Sequence, residues 1–96
     1  MRRTEPMSVG QLLDEYFRNR QLGPAAMEGR AVELWAEVVG EYVARVTEDV
    51  YIRNGVLYVS FSSAAVRAEI FMRRRLLMDQ LNARLRGRVV RNIVVR

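Results

Sequence analysis

Nine arginines fall within the thirty residues from Arg67 to Arg96: Arg67, Arg73, Arg74, Arg75, Arg84, Arg86, Arg88, Arg91 and Arg96. Only Glu69 and Asp79 oppose them, so this segment carries +7, whereas the whole chain carries +5 and residues 1–66 sum to −2. A guanidinium is a planar fork of donors that grips two phosphate oxygens at once and stacks on base planes. Its concentration on one stretch of chain is the electrostatic footprint expected of a nucleic-acid partner. All sixteen basic residues are Arg, with no Lys. Codon bias in a GC-rich genome accounts for the missing Lys equally well, but it does not account for the clustering. The competing reading of the cluster is a solvated face that balances acids elsewhere.

A second constellation surrounds Asn54-Gly55. Val50 to Arg53 and Val56 to Phe61 are β-rich runs of period two on either side of it. Asn-Gly takes positive φ at both positions at least cost, so the pattern predicts a two-residue hairpin. That turn pairs Arg53 with Val56, Ile52 with Leu57, Tyr51 with Tyr58 and Val50 with Val59. Alternation then puts Val50, Ile52, Leu57, Val59 and Phe61 on the core face, and Tyr51, Arg53, Val56, Tyr58 and Ser60 on the other. Tyr51 and Tyr58 beside Arg53 are the residue types that hold single-stranded nucleic acid, by base stacking and backbone attraction. Tyrosine is equally a good strand residue and a good cross-strand partner.

Other chemistries are poorly supplied. The absence of Cys and His removes disulfides, thiolate or imidazole metal sites, and Cys or His catalysis. The four serines have no His to activate them. No carboxylate pair sits in a recognisable acid/base motif and there is no Gly-rich phosphate loop. No enzyme, cofactor or metal is expected. No apolar run approaches a membrane span and nothing resembles a secretion signal, so the expected location is cytoplasmic.

The elements that must position these residues are set by spacing. Residues 1–7 read as a loose arm and residues 8–96 as one domain. Ser8 and Gln11 form a capping box ahead of a helix with Val9, Leu12, Leu13, Tyr16 and Phe17 on one face. Gly23-Pro24 ends it and opens a second helix to about Val46, with Ala31, Trp35, Val38, Val39, Tyr42 and Val46 on its buried side. Glu33, Glu37 and Glu41 form a row on another side, bounded by Arg30 and Arg45. That row is read as a solvated face ahead of an acidic stripe for a basic partner. Gly40 interrupts good helix formers, which a close contact with another element would explain. Ser62-Ser63 caps a third helix that runs to about Arg86 and stops at Gly87, with Val66, Ile70, Leu77 and Leu81 as its buried stripe. Val89 to Arg96 reads as a last strand whose buried face is undecided between Val89, Ile93 and Val95 and Val90 and Val94. The expected fold is α+β in the order α-α-β-β-α-β, a three-stranded sheet with helices on one face. The edge taken by the last strand is left open. An unpaired hairpin edge and an apolar terminal strand leave room for a homodimer.

Glu33-Leu34-Trp35 with Val39-Gly40, Ile52 with Asn54-Gly55, Leu57 and Val59, then Ser63, Glu69-Ile70, Leu77, Leu81-Asn82, Val89-Val90, Ile93 and Val95 occur in an order and spacing that resembles the DciA-like family. These bacterial proteins were first catalogued as a domain of unknown function, and the similarity covers about residues 29–96. The helix that opens after the first three residues looks like the short, single-domain branch of Bacteroidetes type. The resemblance implies a K-homology-like fold, interaction with the replicative DNA helicase and help in loading it, and DNA binding, single- or double-stranded and largely independent of sequence. RNA binding had also been supposed for the family. Two departures concern function. Many members carry a long basic tail after the domain, and its contacts are not carried over. No two glycines here are three apart, so the Gly-x-x-Gly clamp of K-homology domains is missing. A third departure, Val66 where relatives often have an aromatic residue or Leu, is a core change. The alternative from residues alone is a protein-interaction module whose basic face meets an acidic protein.

Overall fold

The computed structural model describes residues 23–96; the arm expected over 1–7 and the helix expected from Ser8 lie outside the described residues. Among the described residues four helices and three strands succeed one another: α1 Gly23–Val39, α2 Glu41–Arg45, β1 Thr47–Arg53, β2 Val56–Phe61, α3 Ala64–Met72, α4 Arg74–Leu85 and β3 Asn92–Val95. The architecture is mixed α+β around a three-stranded sheet in the order β1-β2-β3.

The helix expected to run unbroken to Val46 ends at Val39, because Gly40 takes φ 93° and ψ 167°. A Cβ on Gly40 would meet nothing within 4 Å, so close packing is not why glycine stands there. The left-handed backbone is the reason, since a side chain is strained in that region. The break also re-phases the helical turns beyond it. Tyr42, expected on the buried side, is 60% exposed, whereas Trp35 is 2% exposed. The Trp35 indole N–H donates to Thr47 Oγ1 at 3.2 Å, and that hydroxyl donates to the Val43 carbonyl at 2.7 Å. One hydroxyl thus ties α1, α2 and β1 together at the point where the chain turns into the sheet.

The hairpin has the expected register, from Arg53 opposite Val56 to Val50 opposite Val59. Asn54 and Gly55 both have positive φ, 54° and 81°, which matches the twist of the flanking strands. β1 begins earlier than expected, and its register shifts by one residue between Thr47 and Asp49. That irregularity sits on an edge strand, where it discourages further pairing.

β3 joins the free edge of β2 in parallel, with Leu57 opposite Ile93 and Val59 opposite Val95. Parallel pairing is accessible because α3 and α4 supply the crossover. The last strand is shorter than expected: Val89 and Val90 lie in a loop. The undecided face is resolved in both directions. Ile93 is buried and Val95 packs against the core, while Val90 is buried from the loop.

The third helix is also divided. Ser63 caps α3 as expected, accepting from the Val66 N–H at 3.2 Å. At Arg73 the backbone departs to φ −105°, ψ 15°, and α4 begins. The jog lets the two halves address different surfaces: α3 packs on β2 and β3, and α4 on α1 and β3. Val66, Ile70, Leu77 and Leu81 are all buried as expected, and Leu85 extends their stripe. With Leu57, Val59, Phe61 and Ile93 they form one core between the helices and one face of the sheet. Arg86, in the left-handed region at φ 60° and ψ 40°, ends α4 one residue before Gly87.

Candidate nucleic-acid interface

The arginines of the C-terminal segment do not share one surface. Arg75, Arg88 and Arg91 converge on a cleft of about 510 Å³ between α4 and the loop that precedes β3, floored by Met78, Asn82 and Val90. Arg74 joins Arg75 and Arg91 around a smaller, contiguous hollow of about 130 Å³ beside Asn92 and Ile93. Arg88 and Arg91 also border a third cavity, of about 610 Å³, with Met27, Glu28 and the Asn54-Gly55 turn. Arg91 is thus common to all three. Among the described residues Arg75 and Arg88 are in no ion pair, and Asp79 is the one carboxylate on the central cleft. A concave wall carrying several cations focuses its field on the space between them.

The loop is held in that place by one side chain. Asn82 Oδ1 accepts from the N–H groups of Val89 at 3.1 Å and Val90 at 2.8 Å, and its Nδ2 donates to the Val90 carbonyl at 2.8 Å. Three bonds from a helical Asn give Val89 and Val90 the partners that a sheet would have given them, and they set Arg88 and Arg91 opposite α4. The other anchor is the hairpin turn. The Gly55 N–H donates to Glu28 Oε2 at 2.8 Å, the Arg91 N–H donates to the Gly55 carbonyl at 2.7 Å, and the Arg91 guanidinium donates to the Asn54 carbonyl.

Several of the other arginines are engaged within the chain. Arg67 donates to the Phe61 carbonyl at 3.0 Å. Arg73 pairs with Glu69 at 3.4 Å, one turn away. Arg84 pairs with Glu37 at 2.8 Å, so one glutamate of the acidic row does reach the basic segment, while Glu33, Glu37 and Glu41 are all exposed. Arg86 caps α4 and is exposed. Arg74 lies over the Phe71 ring, its guanidinium carbon 3.9 Å from the centroid.

Arg96 belongs elsewhere. It sits at the far end of β3 from Arg91, about 16 Å away at ~3.3 Å per residue, and its guanidinium carbon lies 5.0 Å from the Tyr58 centroid. Tyr58 stacks on Tyr51 with centroids 4.9 Å apart and planes 12° from parallel, and Arg53 lies 5.9 Å from the Tyr51 centroid. The sheet face away from the core therefore carries the row Arg53, Tyr51, Tyr58, Arg96. Both rings are partly exposed. Aromatic rings flanked by cations can take a base on a ring and a phosphate on a guanidinium.

A family model described as "Dna[CI] antecedent, DciA" matches residues 8–95. The chain belongs to the DciA family. That family is associated with the replicative helicase as an accessory rather than a catalytic family. A UPF0232 protein of Rhodococcus jostii (strain RHA1) is 28% identical over 89 residues, which are 93% of this chain and 47% of the relative. The chain thus spans about half the length of the curated relative it matches.

Three groups that build this DciA-family cleft were not singled out as site residues from the sequence. Asn82 carried a signal, since it stands in the motif Leu81-Asn82 on which the resemblance rests. Met78 carried none, and Glu28 carried none because its partner Gly55 lies 27 residues away. Among the described residues no cluster of acidic side chains could hold a metal ion, and no helix is long and apolar enough to cross a membrane.

Proposed function

We propose that this DciA-family chain is a non-enzymatic nucleic-acid-binding accessory protein that engages the replicative helicase and helps to load it. The observation that carries the nucleic-acid part is the convergence of Arg75, Arg88 and Arg91, with Arg74 beside them, on one cleft with a single carboxylate. Phosphates dock there through guanidinium pairs with little readout of sequence. Residues 8–96 act as one K-homology-like domain that lacks the Gly-x-x-Gly clamp, so arginine takes over what backbone N–H groups do in that clamp. The helicase part rests on membership of the family.

Fluorescence anisotropy with labelled single- and double-stranded oligonucleotides at two salt concentrations tests the first part. Saturable binding that weakens steeply with salt is expected, and an Arg75→Glu/Arg88→Glu variant that still folds should lose it. Unchanged affinity in that variant would refute the cleft. Co-purification with the replicative helicase, with and without nuclease, tests the second part. Retention of the helicase without any oligonucleotide binding would favour a protein-interaction module that touches no nucleic acid. The Arg53, Tyr51, Tyr58, Arg96 row favours a further reading, in which single strands, DNA or RNA, lie on the sheet face.

A further inference from the structure

The buried stripe of α3 and α4 accounts for one side of that helical run. On the opposite side Ala65, Ala68, Met72 and Leu76 recur at helical spacing, all are exposed, and Asp79 ends the apolar run. Met72 is 82% exposed and Leu76 47%, while Phe71 points about 100° round the helix from Met72 and carries Arg74 on its ring. The Arg73 N–H donates to the Glu69 carbonyl at 3.2 Å and the Arg73 carbonyl accepts from the Leu77 N–H at 2.9 Å, so α3 passes into α4 through this one residue with no loop between them. Arg73 and Arg75 flank Met72 and Leu76 on either side of the stripe. Large apolar side chains this exposed, grouped and rimmed by charge, mark an interaction surface rather than scattered surface carbon.

We propose that this outward face docks an acidic amphipathic helix of another protein. Apolar side chains of the partner, spaced i, i+3 or i+4 and i+7, cover Met72 and Leu76, and its flanking Glu or Asp side chains pair with Arg73 and Arg75. Alanines at 65 and 68 keep the approach of the two helices close. Charge selects this occupant. A second copy would set Arg73 and Arg75 against arginines of its own kind. Nucleic acid would satisfy the arginines but leave Met72 and Leu76 against a polyanion that offers them nothing. An anionic lipid surface would need more apolar carbon than these few side chains give. Arg75 is shared with the phosphate cleft, but the inference rests on the exposed carbon of Met72 and Leu76 and stands if the cleft reading fails.

The test uses the full chain and a fluorescein-labelled helical peptide with Leu and Phe along one face and Glu on both flanks. A second peptide has Lys in place of every Glu. Saturable anisotropy with the Glu peptide is expected, weakened about tenfold or more by the Lys exchange and by Met72→Ser/Leu76→Ser. Both substituted positions are exposed, so far-ultraviolet circular dichroism and Trp35 emission should be unchanged. Oligonucleotide affinity should also be unchanged in that variant, which separates this surface from the cleft. Absence of saturable binding, equal binding of the Lys peptide, or indifference to Met72→Ser/Leu76→Ser would each overturn the proposal. So would sedimentation showing a dimer that the same variant dissolves, or binding to phosphatidylserine vesicles that it abolishes.

Discussion

The Gly55 N–H at the tip of the hairpin donates to the carboxylate of Glu28 at 2.8 Å, across 27 residues of sequence. Gly55 is buried, although the bond borders the cavity of about 610 Å³, through which water recovers part of what is lost. Glu28→Ala should therefore destabilise the protein by about 1 kcal/mol, the net worth of one part-buried hydrogen bond. Glu28→Gln keeps an acceptor and should recover most of that loss. Urea denaturation monitored by Trp35 emission measures both.

Gly55 itself admits no side chain. A Cβ there would stand 2.6 Å from Arg91 Nε and 3.3 Å from the Val89 carbonyl, at a φ of +81°. Gly55→Ala should cost about 1–3 kcal/mol of stability through strain. It should also weaken oligonucleotide binding in the molecules that remain folded, because Arg91 has to move. Stability and affinity measured on one preparation check both effects.

Asn82 gives the cleft its wall. Asn82→Ala removes three hydrogen bonds to the loop and should lower stability by about 2 kcal/mol. Amide exchange at Val89 and Val90 should quicken more than exchange in β1 or β2. Uniform acceleration across the sheet would count against a local role for this side chain.

The cleft arginines should differ from the engaged ones. Arg75→Ala/Arg88→Ala should shallow the slope of log affinity against log salt by roughly 1.5, as two phosphate contacts are lost at about 0.7–0.9 each. Arg84→Ala, which gives up the exposed pair with Glu37, should leave the slope nearly unchanged. Equal effects from the two variants would mean that phosphate is held diffusely and not in the cleft.

On the sheet face, Tyr51→Ala/Tyr58→Ala should weaken single-strand binding by about 1–3 kcal/mol per stacked base and leave duplex affinity alone. An equal loss on duplex would assign the two rings to packing rather than to stacking.

The local parts of this fold were legible in the sequence and the distant parts were not. The hairpin register came from Asn54-Gly55 and the two-residue period, and the buried stripe from Val66 to Leu81 came from helical spacing. A helical wheel cannot distinguish a glycine needed for close packing from one needed for a left-handed backbone, so the break at Gly40 and the exposure of Tyr42 were missed. Val89 and Val90 have strand-forming side chains, yet the side chain of Asn82 outcompetes the sheet for both. The type and number of the arginines were plain from the chain, but their grouping was not. Helical phase, the jog at Arg73 and the length of β3 put Arg75, Arg88 and Arg91 at one place and Arg96 at another.

Arg91 grips the hairpin tip with its guanidinium and also borders the three hollows described above. A phosphate that draws this side chain toward itself withdraws a donor from the Asn54 carbonyl. Occupancy and tautness of the tip are then linked reciprocally: what one loosens, the other resists by the same free energy. On the proposed reading, the turn between β1 and β2 is a built-in gauge of phosphate capture, readable at its single backbone amides.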